Sequence, residues 1–417
     1  MHGTLPRNRF ELACRVAHAA GPARPWITAL LALLCLSCGT GPGDATDERA
    51  RPPGYRVLFL GDTSFGENYQ TRIAEQGGKN ILIDQGYAYS LQRLAPLLHD
   101  ADKVIANLET PVTDLPVSSL AGQKRYLHRA DTVKTPETLR AHNIRHVSLA
   151  NNHTLDYGLT GLEHTLASLQ AQGIQWFGAG NDAESAAAPL RTTIGSESNP
   201  QALVVSAGFE YRTQYDADYA FYADGKTAGV NAWTPARAAA QLAELRRSAP
   251  DAFIVAYPHF GKNYAWKTDG QIRLAHALID GGADLVIGHG AHVLQEIEQY
   301  RGRWIIYNLG NFVFNSPGRY SKKDIHPYSL VAGLGMVERD GEVAFTLHLY
   351  PILSNNLVTK FQPRFVNSLQ FSEVRSLLLE HSAPSARLQE RLMTEKDRYG
   401  RYLALDVTPA GTAGQIR

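Results

Sequence analysis

From Tyr55 onward, short β-branched and aliphatic runs alternate with longer stretches whose apolar positions recur every three or four residues. A buried strand repeats at two residues and an amphipathic helix at about 3.6, so this alternation predicts strands crossed over by helices. The predicted strands are Arg56 to Leu60, Lys103 to Ala106, His146 to Leu149, Ala202 to Ser206, Ala252 to Tyr257, Asp284 to Ile287 and Trp304 to Tyr307. Between them Leu159, Leu162, Leu166 and Leu169 stand at helical spacing, as do Leu242 with Leu245 and Ile272 with Ala275 and Leu278. The outline is a layered α/β sandwich. After Pro317 the pattern changes to two longer alternating segments, Ser329 to Glu338 and Glu342 to Leu349, joined by a turn at Arg339-Asp340-Gly341. They predict an antiparallel edge or a second sheet. Phe371 to Tyr402 carries a helical pattern interrupted by Pro384, and Thr408 to Arg417 reads as a loose tail.

The region before Tyr55 follows different rules. Arg7, Arg9, Arg15 and Arg24 precede an uncharged run from Trp26 to Ser37, which suits a secretory signal and is too short for a spanning helix of roughly 20 residues. The run ends in Leu34-Cys35-Leu36-Ser37-Cys38-Gly39, which resembles the lipobox of bacterial lipoproteins, with Cys38 as the acylated residue. Residues 1–37 are therefore expected to be a signal peptide, and 38–54, rich in Gly, Pro, Asp and Thr, a flexible tether. The expected location is the cell envelope, membrane-anchored through lipid. Cysteine usage agrees with a metal site free of thiolate, since the chain's three cysteines, Cys14, Cys35 and Cys38, all precede the folded body. Charge excludes little: 41 Lys and Arg against 40 Asp and Glu give no general affinity for nucleic acid.

The chemistry lies where the predicted strands end. Leu60 leads into Gly61-Asp62, Ala106 into Asn107-Leu108-Glu109, and Leu149 into Ala150-Asn151-Asn152-His153. In the same way Tyr257 leads into Pro258-His259, Ile287 into Gly288-His289-Gly290-Ala291-His292, and Tyr307 into Asn308. In a mostly parallel sheet the carboxyl ends of the strands share one rim, where ligands bind. Any one of these residues alone reads as a helix cap, a turn former or a satisfied histidine. Six together predict a site. Carboxylates, amide oxygens and imidazoles without a thiol suit Mn, Zn or Fe(II), as one ion or as two about 3.5 to 4 Å apart sharing a bridging oxygen from Asp62 or Glu109. His153, beside Asn152, is the candidate to protonate a leaving group.

In this order the motifs resemble the poly-gamma-glutamate capsule biosynthesis family, a branch of the calcineurin-like metallophosphoesterase superfamily. The resemblance runs from Tyr55 to about Val358 and includes Asp156 and Gly158, Phe260-Gly261, His292-Val293, Asn308-Leu309-Gly310-Asn311-Phe312 and Tyr350-Pro351-Ile352. It implies a four-layer-type α/β sandwich of central mixed sheets flanked by helices, with a metal centre between the sheets. It further implies a capsule-biosynthesis domain over 55–360, followed by a helical extension and tail over 361–417. Asp62, Glu109, Asn152, His259, His289 and His292 match the family's ligand positions, with Glu109 where a bridging aspartate stands. Three departures qualify the chemistry: Asp62-Thr63-Ser64 lacks the Asp-x-His of active phosphoesterases, Glu109 replaces an aspartate, and Ala291 stands where proline is common. One ion, two ions or none are the alternatives they leave.

The leading expectation is an exported metal-dependent hydrolase-like protein for synthesis, export or trimming of an anionic polymer such as poly-gamma-glutamate, working with polymer synthesis or export machinery. Alternatives are a metallophosphoesterase acting on another envelope or small phosphoester substrate, and a non-catalytic binding or assembly component. Asn107, Asn151 and Asn311 are candidates for substrate contact. So are Lys124 and Arg125, which with His128 and Arg129 form either a basic rim or a solvated loop. No Gly-Lys-Ser loop, Gly-x-Ser-x-Gly elbow or basic aromatic stripe supports nucleotide, serine-esterase or nucleic-acid chemistry.

Overall fold

The computed structural model describes residues 55–339, 342–382 and 385–409. The expected signal, Cys38, the tether, the turn residues Asp340-Gly341, Pro384 and the end of the tail lie outside them.

Two sheets face each other. In the first, Tyr55–Ser64 runs parallel to Lys103–Leu108 and, over its last residues, to Asn311–Phe314, while Tyr328–Arg339 pairs antiparallel with its first half. Ile144–Ser148 and Gln175–Phe177 extend the parallel side. Glu342–Leu353, Gly400–Asp406 and Met393–Asp397 extend the antiparallel side, giving 10 strands among the described residues. The second sheet has 7, with Asn199–Glu210, Phe253–His259, Leu285–Ile287 and Arg303–Ile306 parallel at its centre. Leu190–Ser196 and Ile297–Tyr300 flank them antiparallel.

Side-chain alternation fixes the layering. Val57 and Phe59 point into a core shared with Phe253, Val255 and Tyr257 of the second sheet, whereas Leu58 and Leu60 point outward onto Leu94, Leu97, Leu98 and Leu162. Ile254 and Ala256 likewise face away from the shared core, onto Leu242, Leu274 and Leu278 of helices Pro235–Ser248 and Asp269–Asp280. Covered on both faces, these strands read as unbroken apolar runs, and each fully buried Leu, Val or Phe contributes about 1.5–3 kcal/mol. Helices, sheet, sheet and helices form the four expected layers. One polar tie crosses the middle: the buried Tyr257 hydroxyl donates to the Leu60 carbonyl, one residue before the Gly61-Asp62 motif.

Three expectations change. The polar clusters come from two facing sheets, so they meet across the sandwich and not along the rim of one sheet. Phe371 to Tyr402 is not helical throughout. Helices Ser368–His381 and Ser385–Arg391 give way to the hairpin Met393–Asp397 and Gly400–Asp406, which completes the first sheet. Tyr402-Leu403-Ala404-Leu405 alternates at period two, Leu403 and Leu405 entering the inter-sheet core, so 361–417 belongs partly to the main fold. In helix Gly158–Ala171 the buried stripe is Leu162, Thr165, Leu166 and Leu169, and Leu159 is exposed.

Candidate metal centre

At Asp62 the strand pairing breaks: the register with Lys103–Leu108 shifts between Phe59 and Asp62, and that with Asn311–Phe314 between Asp62 and Thr63. The Asp62 amide donates to the Gly310 carbonyl at 3.0 Å. A Cβ on residue 61 would overlap that same oxygen, and Gly310 has φ +77°, so this crossing of backbones needs glycine at both positions. On the facing sheet His259 ends its strand, and His289 and His292 lie on the loop after Leu285–Ile287. His292 has φ 62°, a left-handed conformation costing a non-glycine residue about 1–3 kcal/mol. Its carbonyl accepts from the Tyr320 hydroxyl at 3.2 Å.

These elements bring Asp62, His259 and His289 together, with ligand atoms all within 4.8 Å of one another, and do the same for Asp62, Glu109 and His292. Asp62 belongs to both groups, whereas Glu109 belongs to one. The Nδ1 atoms of His259 and His289 are 3.1 Å apart, and His289 Nδ1 is 3.7 Å from Asp62 Oδ1. In the second group Nε2 of His292 is 3.9 Å from Glu109 Oε1. Its Nδ1 lies 3.0 Å from Asp62 Oδ2 but is hydrogen-bonded at 2.9 Å to Asn311 Oδ1. With Nδ1–H donated to Asn311, Nε2 is the lone-pair nitrogen.

A cation fits this set. Both Glu109 carboxylate oxygens, Asp62 Oδ2 and Asn152 Oδ1 are buried without a hydrogen-bond partner, in a protein interior where such groups are almost always paired. Burial, and next the Asp62 charge, push the Glu109 carboxyl well above its ordinary range. Burial acts on Asp62 in the same direction, but His292, His289 and the Asn107 amide more than offset it and hold that carboxyl low. Burial also holds His289 down, to about 4, and His259 well below the usual imidazole value, so both rings are neutral near pH 7 with lone pairs available. Two crowded carboxyl groups beside neutral imidazoles are what a divalent ion relieves.

The remaining predicted residues divide. His153 Nδ1 lies 2.7 Å from Asp156 Oδ2, its Nε2 is 3.9 Å from Glu109 Oε1, and its ring stacks on His128 with centroids 3.6 Å apart. Burial, then Lys124, keep His153 neutral, so it is a proton acceptor before it can be a donor. Lys124 reaches the site's cavity but is buried and engaged, pairing with Asp156 and donating to the Asn152 carbonyl. Of the expected basic cluster, His128 is buried too, and its Nδ1 is 2.9 Å from the Glu109 carbonyl. Asn107 and Asn151 are also withdrawn from substrate contact. Asn107 donates to Asp62 at 3.0 Å, Asn151 donates to Asn107 at 3.0 Å, and both are fully buried. Asn311, likewise buried, holds His292.

A cavity of about 490 Å³ opens above Asn152, His153 and His292, lined also by Arg125, Arg212, Tyr264 and Arg319. Arg125 was named in the sequence and lines this cavity. Arg212 and Arg319 escaped sequence reading. The strand expected to stop at Ser206 continues to Glu210, so its own polar end, Glu210-Tyr211-Arg212, was the missed signal.

Known proteins resemble this chain in sequence. It is 30% identical over 258 residues to the PGA biosynthesis protein CapA of Bacillus subtilis, covering 62% of each. Over 262 residues it is 34% identical to a probable polyglutamine synthesis accessory protein of Mycobacterium tuberculosis, covering 59% of this chain and 65% of that one. The capsule biosynthesis protein CapA of Bacillus anthracis is 27% identical over 241 residues, 57% of this chain and 56% of its own. The chain thus spans less than two thirds of these relatives' length. A solved structure described as a novel phosphatase from Mycoplasma pneumoniae overlaps 68% of this chain and 87% of its own at 13% identity, with a TM-score of 0.32, too loose to bear on function. The profile of the bacterial capsule synthesis proteins, PGA_cap, matches residues 56–316, the stretch that carries every donor described above, and the chain belongs to that family.

Proposed function

We propose that this protein is an accessory hydrolase of capsular polymer synthesis, acting through a divalent metal centre on an anionic, polyglutamate-type chain outside the cytoplasmic membrane. The observation that carries the reading is the pairing of a buried, orphan-rich donor set with a cavity whose wall bears Arg125 and Arg319. Guanidinium groups bind carboxylates in a planar, bidentate fashion, so this mouth favours an acidic substrate. The relatives named for PGA and capsule biosynthesis support the same class of polymer.

Asp62, Glu109, Asn152, His259, His289 and His292 would hold Mn, Zn or Fe as one or two ions, with Asp62 shared. The ion supplies Lewis-acid polarisation and a more acidic water. The chain's own part is proton handling: Asp156 fixes the His153 tautomer, leaving Nε2 to accept a proton from the attacking water and return it to the leaving amine as the C–N bond breaks. In this reading residues 1–37 direct export and a lipid on Cys38 holds the domain at the membrane, supported by the arginine-led apolar run and the lipobox-like end.

The test is hydrolysis of γ-linked glutamate oligomers by metal-loaded protein, followed by amine release, beside His153→Asn and a chromogenic phosphodiester. Release of at least 100-fold more amine than the variant supports the reading. Phosphodiester cleavage without amide cleavage would replace it with a phosphoesterase, and neither activity with metal bound would replace it with a binding role.

A further inference from the structure

A second cavity, of about 430 Å³, adjoins the first, sharing Arg212, Asn263 and Arg319 with it. Its other walls are Glu210, Gly261, Lys262, Thr268 and Lys323. Four cationic side chains thus surround one carboxylate, and that carboxylate is already engaged. Glu210 Oε1 lies 3.1 Å from Arg212 Nε, and Oε2 accepts the Gly261 amide at 2.8 Å. Arg212 also donates to the Gly261 carbonyl at 2.9 Å, so the Glu210-Arg212 pair is structural, closing the strand end onto the loop after His259. Lys262, Lys323 and Arg319 have no carboxylate within ion-pair distance among the described residues. Arg319 is nonetheless held in place, its guanidinium 5.5 Å from the Tyr126 ring centre and 5.2 Å from that of Tyr264, whose ring lies 5.5 Å from His292. A fixed guanidinium therefore stands on the boundary between the two cavities, and two free lysines line the far one.

Resting on the polymer reading above, we propose that the second cavity is a distal subsite for a carboxylate of the same chain, one or more units away from the bond at the metal centre. Arg319 receives the chain at the boundary, and Lys262 and Lys323 hold the distal acid. The protein then recognises a run of acids and not a single one. Engaging a second site through a short tether raises apparent affinity without altering the contacts of the first.

The experiment is calorimetric titration of the metal-loaded protein, parent and variants alike carrying His153→Asn so that the chain is not cleaved, with γ-linked glutamate oligomers of one to about twelve units, at two salt concentrations. A polyphosphate series runs in parallel. The comparison protein is Lys262→Ala/Lys323→Ala; both lysines are exposed, stand outside the donor set, and leave the fold intact, which thermal melting checks. Expected is a rise in affinity once the oligomer spans both cavities, with about a tenfold loss of that gain in the double variant. Monomer binding stays unchanged, and Lys262→Arg/Lys323→Arg restores the gain. If the parent shows a length-dependent gain that the double variant keeps, or shows no gain with length, the subsite is overturned while the polymer reading stands. A gain confined to polyphosphate overturns the assignment to carboxylate. If the parent binds no glutamate oligomer at all while metal analysis shows a loaded centre, the polymer reading falls and the subsite with it.

Discussion

Replacing Asp62 by Asn tests the shared place of this carboxylate. The substitution keeps size and shape, and the Asn107 amide, now 3.0 Å from Asp62 Oδ1, still finds an oxygen to donate to. What disappears is the charge that serves both donor groups. In the parent, metal at 100 times its dissociation constant adds about 2.7 kcal/mol to stability. Unfolding entropy of about 2.1 cal/mol/K per residue, over roughly 350 described residues, converts this to a rise in melting temperature of about 4 °C. The Asp62→Asn protein should show less than about 1 °C, and elemental analysis should find the metal gone. His289→Ala, which touches only one group, should keep part of the shift. Without metal two effects oppose each other, since Glu109 loses the neighbouring charge that, after burial, raises its pKa, while the contacts with His292 and His289 that hold the Asp62 carboxyl low are lost; metal-free melting of both proteins therefore sets the baseline for each shift. Scanning fluorimetry with Mn and Zn, beside metal content of chelator-free preparations, measures all of this. An Asp62→Asn protein that retains the parent's metal and shift would refute the shared-ligand geometry.

Other perturbations act through different physics. Burial, then Arg56, depress the His348 pKa to about 4, and its Nδ1 has no hydrogen-bond partner. Its folded value lies below the unfolded value of about 6.5, so its neutral form adds stability above that pH, which is lost as pH falls toward 4. His348→Phe should recover about 1–2 kcal/mol at pH 5 and little at pH 7, read by urea unfolding at both. Lys124→Ala strands Asp156 in the interior and should cost about 3–5 kcal/mol in the same assay, whereas Lys124→Met with Asp156→Leu should regain much of the loss but not the orientation of His153. Gly61→Ala forces the Asp62 backbone off the Gly310 carbonyl and should lower both melting temperature and metal content, while Ser196→Ala, far along the second sheet's edge, should change neither.

The donors were legible because each stands directly after an apolar run, and a strand end is visible in hydropathy alone. Asp62, Glu109, Asn152, His153, His259, His289 and His292 all have this signature; the fold gathers Asp62, Glu109, His259, His289 and His292 into two groups that share Asp62 and sets His153 3.9 Å from Glu109. Roles were harder to read than membership. Asn107 and Asn151 carry the same signal as the ligands, and only three-dimensional distance shows their amides turned to Asp62 and to each other. Lys124 sits beside Arg125 in sequence and both line the cavity, yet Lys124 is buried and paired with Asp156 while Arg125 is exposed, a difference that local charge cannot encode. Arg319 was invisible because its anchors, Tyr126 and Tyr264, come from distant segments. The C-terminal hairpin was hidden because Phe371, Val374 and Leu378 stand at helical spacing and no strong punctuation marks the change of period before Met393.

That hairpin also bears on how copies of the chain keep apart. The outermost strand, Met393–Asp397, is short, mostly exposed and carries Glu395, Lys396 and Asp397, features that discourage strand-to-strand association between molecules. Inside the hairpin lies Glu342–Leu353, 12 residues long and rich in Val, Phe, Leu, Tyr and Ile. A chain ended near residue 365 would retain the whole donor set yet open the outer edge of that strand, over Thr346 to Leu349, to solvent, with the apolar surface under Leu403 and Leu405 bare. Its fate would be precipitation before any question of chemistry arose, so the last segment of this protein is a solubility element as much as a part of its fold.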